Sequence, residues 1–347
     1  MNVLIIGNLG YIGPMVVEHL HNTRKDFNLF GYDIGYFQGN LTTRQGMLPE
    51  AGLKAQYYGD VRDFDSSVLK NMDAVVYLAA ISNDPMGKEF EKPTYDINQK
   101  CAFTIAAEAK KMGVKSFVFA SSCSVYGLAD VNAKNENSEI NPLTAYAKSK
   151  TNAEEDLKSV ASDSFAITCL RFATACGISH RLRLDLVLND FVACALTNKR
   201  IEILSDGKPW RPLINVKDMA RAIEWAMIRN IDTQFLVVNV GSDTFNYQVL
   251  ELAKAVQKMM PDIEISVNPH AQPDNRSYKV DFSLFSELAK GYTPQYDLET
   301  TIKELVDGLN AIEFNDKNFR NSNLIRIKTL NDLIGRNVIT KELVRVN

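Results

Sequence analysis

The chain opens on an unbroken apolar run, Val3-Leu4-Ile5-Ile6, that stops at a glycine turn. A short apolar run bounded by turn residues is the pattern of a strand buried on both faces. The pattern recurs at 27–32, 54–58, 74–78, 116–120 and 165–170. Between these runs apolar residues fall at helical spacing: from Pro14 onward, over 95–112 and over 143–160. Strands that alternate with helices predict an α/β fold, a Rossmann-type doubly wound parallel sheet covered on both faces. Residues 1–175 form this unit. Past Cys176 the alternation loosens. Helical spacing at 184–196 and 219–227, with strand-like runs at 201–204 and 235–240, predicts a smaller mixed α/β lobe over 176–347. Within it, 211–241 is expected to return to the first unit. The stretch 34–50 is polar and irregular. The tail, 315–347, carries a helix near 324–333 and no readable function.

The first turn reads Gly7-Asn8-Leu9-Gly10-Tyr11-Ile12-Gly13, followed by Pro14. The first glycine allows a sharp turn off the strand. The second lets a ligand approach the backbone, and the third allows the helix to pack closely on the strand. Proline is tolerated in the first turn of a helix, and that helix end offers unpaired N–H groups and a positive dipole to a pyrophosphate. The second strand ends at Asp33, twenty residues after Gly13. A carboxylate there accepts hydrogen bonds from both ribose hydroxyls of an adenosine and repels a 2′-phosphate, which favours NAD over NADP. Asp60 and Val61 follow the third strand. Asp60 suits an adenine contact or a helix cap, and one residue can do both. Leu78-Ala79-Ala80 ends the fourth strand with small side chains that leave room for a flat ligand, and Asn83 follows it.

Composition narrows the partners. A formal charge of −3 over 347 residues argues against nucleic acid or a membrane surface. No apolar run approaches a membrane span. Met1-Asn2 leads directly into the first strand, so no signal peptide is expected. The five cysteines form no C-x-x-C pair and suit buried free thiols in a cytoplasmic protein. The four histidines are scattered, so no metal is expected.

Tyr146 and Lys150 are four apart on one expected helix and share a face. A phenol is a poor base at neutral pH, and a nearby ammonium lowers its pKa. Ser122, at the end of the fifth strand, can hydrogen-bond the same substrate oxygen. The glycine turn, Asp33, Asp60, Leu78-Ala79-Ala80, Ser121-Ser122, Tyr126-Gly127 and Tyr146-x-x-x-Lys150 together resemble the extended short-chain dehydrogenase/reductase family. Within it the chain is similar to the NAD-dependent epimerase/dehydratase group that acts on nucleotide sugars. The resemblance runs from Asn2 to about Val306.

It implies a catalytic trio of Ser122, Tyr146 and Lys150. Tyr146 would be the acid/base for a sugar hydroxyl, expected to be the 4-hydroxyl, as NAD oxidises its carbon. Lys150 would also hold the nicotinamide ribose. Tyr11, Ile12, Val61 and Leu78 join the glycines, Ala79, Ala80 and the two aspartates at the cofactor. Arg211 and Arg276 would hold the substrate's phosphates, with Asn83, Cys123 and Asn189 in the same pocket. A homodimer through helices 95–112 and 143–160 is expected. Two departures bear on the substrate. Ser124 stands where 4,6-dehydratases carry an acid, and Thr174 where many epimerases carry an asparagine. The expected activity is therefore nucleotide-sugar epimerisation or net oxidation. A 4,6-dehydratase and a non-catalytic dinucleotide sensor are the rivals.

Overall fold

The structure is a computed structural model, and it describes residues 1–42, 47–128, 132–230, 232–268 and 277–346. Its strands are β1 (Asn2–Ile6), β2 (Asn28–Asp33), β3 (Ala55–Tyr58), β4 (Ala74–Tyr77), β5 (Ser116–Ser122), β6 (Ala166–Phe172), β7 (Thr174–Cys176), β8 (Arg200–Ile203), β9 (Trp210–Asn215), β10 (Phe235–Val240), β11 (Asn246–Gln248) and β12 (Glu264–Val267). The helices are α1 (Gly13–Thr23), α2 (Asp84–Glu89), α3 (Glu91–Tyr95), α4 (Ala102–Lys111), α5 (Ala145–Lys158), α6 (Val187–Asn198), α7 (Val216–Ile228), α8 (Val249–Met259), α9 (Ser283–Leu288), α10 (Leu298–Ala311) and α11 (Arg326–Gly335).

Seven parallel strands form the main sheet in the order β10-β6-β5-β4-β1-β2-β3. The chain reverses its direction of travel between β1 and β4, and the crevice at their carboxyl ends is where ligands bind in such sheets. Strands β4 and β6 are buried at every position, as their unbroken apolar runs require. One apolar layer, with α1 and α7, lies on one face and continues into the lobe of α6, α8 and α10. The other face is covered by α4 and α5 through Ala102, Ile105, Ala153 and Leu157.

The second half of the chain is shared between the two bodies. β10 pairs with β6 at the edge of the main sheet, and α7 packs on α1. β9 instead sits with β7 and β11 in a separate three-stranded sheet. The helix expected from 184 starts only at Val187. The residues before it form an irregular segment, and the Arg183–Asp185 ion pair bridges it to the loop after β4. The helix expected over 95–112 is longer. It runs on from α3 through a π-helical stretch, Asp96–Cys101, into α4. Such widened turns mark sites where a side chain is diverted from the helix ladder. Here Asn98 is diverted. Its Oδ1 accepts from Ile81 N–H at 2.9 Å, and its Nδ2 donates to Ile81 C=O at 3.0 Å and to Ser149 Oγ at 3.0 Å. One buried amide thus fixes the loop after β4 and the helix that carries Tyr146. The tail does not extend the second lobe. Leu330, Ile339 and Leu343 pack on Ile81, Met86, Phe90 and Ile97, beside the crevice.

Candidate active site

The glycine turn is built as a cradle. Gly7 has φ +90°, and a Cβ there would lie 2.5 Å from Ala79 N, so the turn and the β4 end are in backbone contact. Gly13 is needed for a different reason from the one expected. Its Cβ would strike the backbone of Asn8, within the turn itself, and not the strand. Around Gly10 a Cβ would touch only Gly7 O, at 3.4 Å, so its smallness leaves open space for a ligand. Helix α1 has no side-chain cap and Pro14 in its first turn. Met15 and Val16 N–H already donate to Ile12 C=O, so Gly13 N–H and the positive end of the helix dipole are what this end offers a ligand. Asp33 ends β2 with Oδ2 accepting from Leu9 N–H at 2.9 Å and Oδ1 from Gly35 N–H at 2.7 Å. Burial raises its carboxyl above the usual range, against those two hydrogen bonds. Asp60 fills the capping role, accepting from Arg62 N–H at 2.9 Å, and pairs with the Arg62 guanidinium at 2.6 Å. It also faces the cleft with Val61.

The expected trio converges on one wall. Ser122 ends β5, and its Oγ accepts from Ser124 N–H at 3.1 Å. Tyr146 and Lys150 lie on α5, which Thr144 caps by accepting from Ala147 N–H. Burial pushes the Tyr146 phenol up to about 12, while its hydrogen bond with Ser122 works the other way. Lys150 Nζ donates to Ala120 C=O at 2.7 Å and stands 5.9 Å from the Tyr146 ring centre. Burial pulls the ammonium down to about 7, opposed by the charge of Glu154. Burial, the largest cause of both shifts, thus works against a phenolate beside an ammonium. Behind them Glu154 accepts from Arg171 at 2.6 Å and from Ser121 Oγ at 2.5 Å. Arg171 also donates to Tyr126 Oη at 3.1 Å, and Tyr126 donates to Asn239 Oδ1 at 2.8 Å.

A single cleft of about 700 Å³ joins these parts. Gly7, Gly10, Tyr11, Ile12, Gly13, Asp33, Asp60, Val61, Leu78, Ala79 and Ala80 line one end. Ser122, Tyr146 and Lys150 line the middle, with Asn83, Thr174 and Arg211 beyond them. Two of the expected positions fall elsewhere. Cys123 is fully buried behind the wall, donating to Arg171 C=O, and burial raises its thiol far above the usual range. Asn189 is also buried. It accepts from Gly177 N–H at 3.0 Å and donates to Arg183 C=O at 3.0 Å, so it shapes the segment before α6 without facing the cleft. Arg276 lies outside the described residues.

The cleft also holds groups that the sequence pattern did not single out. Arg183 donates to Asp185 at 2.6 and 2.9 Å and to Ser82 Oγ at 2.8 Å, and Asn83 donates to Asp185 at 2.9 Å. Burial opposes ionisation of Asp185, but Arg183 outweighs it and holds the carboxyl below its usual value. The only signal was an arginine–x–aspartate after β7, which has no periodicity to mark it. Ser124 Oγ is buried and has no hydrogen-bond partner among the described residues, and Ser124 lines the cleft. Arg326, from the tail, lines it as well.

An open glycine cradle, a helix N-terminus, two carboxylates at strand ends and small side chains after β4 together fit a dinucleotide. Among curated proteins, the chain is 27% identical over 320 residues to a putative UDP-glucose 4-epimerase of Methanocaldococcus jannaschii, covering 88% of this chain and 97% of the relative. Among solved structures, MoeE5 in complex with UDP-glucuronic acid and NAD superposes with a TM-score of 0.77 at 23% identity, covering 90% of this chain and 99% of MoeE5. The UDP-glucuronic acid 4-epimerase of Bacillus cereus gives 0.76 at 21% identity, with 90% and 100% covered. The NAD dependent epimerase/dehydratase family matches residues 3–241, which carry the cradle, both aspartates and Ser122, Tyr146 and Lys150, and the chain belongs to that family.

Proposed function

We propose that the protein is an NAD-dependent nucleotide-sugar 4-epimerase. The carrying observation is that one cleft unites the dinucleotide cradle, the Ser122–Tyr146–Lys150 wall and Arg211. Bound NAD supplies the oxidant, and its positive ring adds to Lys150 in favouring the Tyr146 phenolate that burial opposes. Tyr146 Oη takes the proton of the sugar 4-hydroxyl and later returns it. Ser122 hydrogen-bonds the same oxygen. Lys150, anchored on Ala120 C=O, holds positive charge beside the phenol and keeps a donor for the cofactor ribose. Arg211 faces the nucleotide phosphates, which a guanidinium fork matches well. Tyr146 and Ser122 hold the oxygen and Arg211 the phosphates while hydride passes from C4 to NAD, held at the glycine turn and Lys150, and returns to the opposite face.

A dehydratase needs an acid to protonate its leaving hydroxyl. Ser124, at the position where that acid would stand, carries a hydroxyl with no partner and no acidity at neutral pH. That supports epimerisation over elimination. The relative's name supports UDP as the nucleotide. The test is incubation with UDP-glucose, UDP-N-acetylglucosamine and UDP-glucuronic acid, followed by mass and proton NMR of the products. Unchanged mass with inverted C4 and no NADH absorbance is expected. Loss of water would establish the dehydratase, and accumulating NADH would establish net oxidation.

The protein is further proposed to be a homodimer that pairs α4 and α5 across a two-fold axis. Phe103 and Met112 at 37% and 45% exposure support this face. Sedimentation equilibrium is expected to give twice the chain mass, and a monomer would remove the proposal. No helix of the described residues is long and apolar enough to cross a membrane.

A further inference from the structure

Three arginines lie close to one another beside the cleft, and two of them, Arg183 and Arg326, line it. Arg181 pairs with Glu50 at 2.5 Å, and Arg183 pairs with Asp185. Arg326, at the start of α11, forms no ion pair among the described residues. It is 1% exposed and lines the cavity. Its Nη2 donates to Arg181 C=O at 2.6 Å, and its plane lies 4.6 Å over the Phe37 ring. Its Nη1 is buried without a hydrogen-bond partner among the described residues. Burial together with repulsion from Arg183 and Arg181 draws the guanidinium down to about 9. A buried, unpaired donor of this kind is rare, because desolvating a charge without compensation is costly. It calls for an anion.

The neighbours of Arg326 say which anion. Phe37 stands on the loop after Asp33. Arg181 N–H donates to Ser179 Oγ at 3.3 Å, and Ser179 Oγ donates to Tyr11 C=O at 2.7 Å. Arg326 is thus joined to the glycine turn by three hydrogen bonds in series, through Arg181 and Ser179. Arg211 belongs to β9, in the other sheet.

The segment that carries Arg326 is fastened across the adenosine end. Tyr36 Oη donates to Leu343 C=O. Arg62 donates to Glu342 C=O at 2.6 Å and to Leu343 C=O, while it also pairs with Asp60. The tail therefore ties the loop after Asp33 to the loop of Asp60, and Leu330, Ile339 and Leu343 seat it in apolar contact.

We propose that Arg326 is a ligand of the cofactor's diphosphate, carried into the cleft by a C-terminal clasp that keeps the dinucleotide in place between turnovers. The proposal rests on the NAD reading above and deepens it. An epimerase regenerates its cofactor on the enzyme in every cycle, so a cofactor that stays bound loses nothing. A dehydrogenase must release NADH each time, and a clasp would throttle it.

The experiment uses the full chain, wild type, Arg326→Gln and Arg326→Lys, each saturated with NAD, freed of excess and chased with isotopically labelled NAD. Exchange is followed by mass spectrometry. UDP binding is measured in parallel by calorimetry, and circular dichroism confirms the fold. Arg326→Gln is expected to speed NAD exchange by at least about tenfold, which is about 1.4 kcal/mol. Arg326→Lys, which keeps the charge and loses the fork, is expected to speed it less, and the UDP affinity of both stays within about twofold of wild type. If Arg326→Gln fails to fold, faster exchange in Arg326→Lys carries the test. Unchanged exchange in the folded variants overturns the proposal. So does a selective loss of UDP affinity, which would assign Arg326 to the sugar nucleotide. A wild type that takes up no NAD would bring down the cofactor reading itself. A wild type and variants that hold NAD equally would bring down this inference alone.

Discussion

Lys150 near 7 and Tyr146 near 12 share one cause, burial, acting on groups of opposite charge. The lysine binds its proton more weakly folded than unfolded. Between about pH 7 and 10 the unfolded chain holds the extra proton, so this term destabilises the fold at low pH and fades as pH rises. Lys150→Met is expected to be more stable than wild type by about 1–3 kcal/mol at pH 6, with the advantage shrinking toward pH 10. Thermal unfolding across that range checks it, and a gain independent of pH would refute it. Tyr146→Phe is expected to lower kcat by at least about a thousandfold while NAD content stays that of wild type. Gly10→Ala and Gly7→Ala separate binding from folding. A Cβ at Gly10 would meet only Gly7 O, at an ordinary contact distance, so its alanine is expected to leave the melting temperature within about 1 °C and to weaken NAD about tenfold or more. Gly7→Ala, at positive φ and against Ala79, is expected to lower the melting temperature as well. Tyr146, Lys150 and Asp33 were legible because a period or a strand end marks each. Arg183, Asp185 and Arg326 were not, since they sit on irregular or distant segments that meet the cleft only through tertiary packing.

Helix α5 is where local pattern and long-range structure meet. One of its turns presents Tyr146 and Lys150 to the cleft, and the next presents Glu154 to a buried chain of Arg171, Tyr126 and Asn239. Removing one partner of a buried pair strands the other charge, so Glu154→Gln is expected to cost about 3–5 kcal/mol. Denaturant unfolding measures this, and a loss below about 1 kcal/mol would show that water reaches Arg171. The strands of the main sheet were legible as unbroken apolar runs because both faces are covered. Helix α2 was not, because its six residues carry a single large apolar side chain, Met86, and so no apolar period to read. The late start of α6 was hidden for a related reason. Leu184 and Leu188 are four apart, as on a helix face, but Arg183 and Asp185 are tied to each other and to the loop after β4, and the segment stays irregular up to Leu186.

At the scale of the whole molecule, the sheet order, the lobe and the cleft followed from the alternation of runs, whereas the course of the tail did not. Nothing between Asn315 and Asn347 says that Leu343 will meet Tyr36. Cofactor binding should be felt by the entire fold, since the cradle, the β4 end and α5 all line one cavity. At a hundredfold over its Kd, NAD is expected to add about 2.7 kcal/mol to unfolding, read as a rise in melting temperature. No rise would count against the cradle.

The clasp also sets an order of events at the ribosome. Tyr36 and Leu343 are 307 positions apart, so the two halves of their contact are made at opposite ends of synthesis. At about 5–20 residues per second the interval is roughly 15–60 s. As the crossover strands are completed, the crevice takes shape while its last fastening is still unmade. Cofactor can then enter a doorway that the finished chain closes, and the length of the message sets how long the doorway stands open.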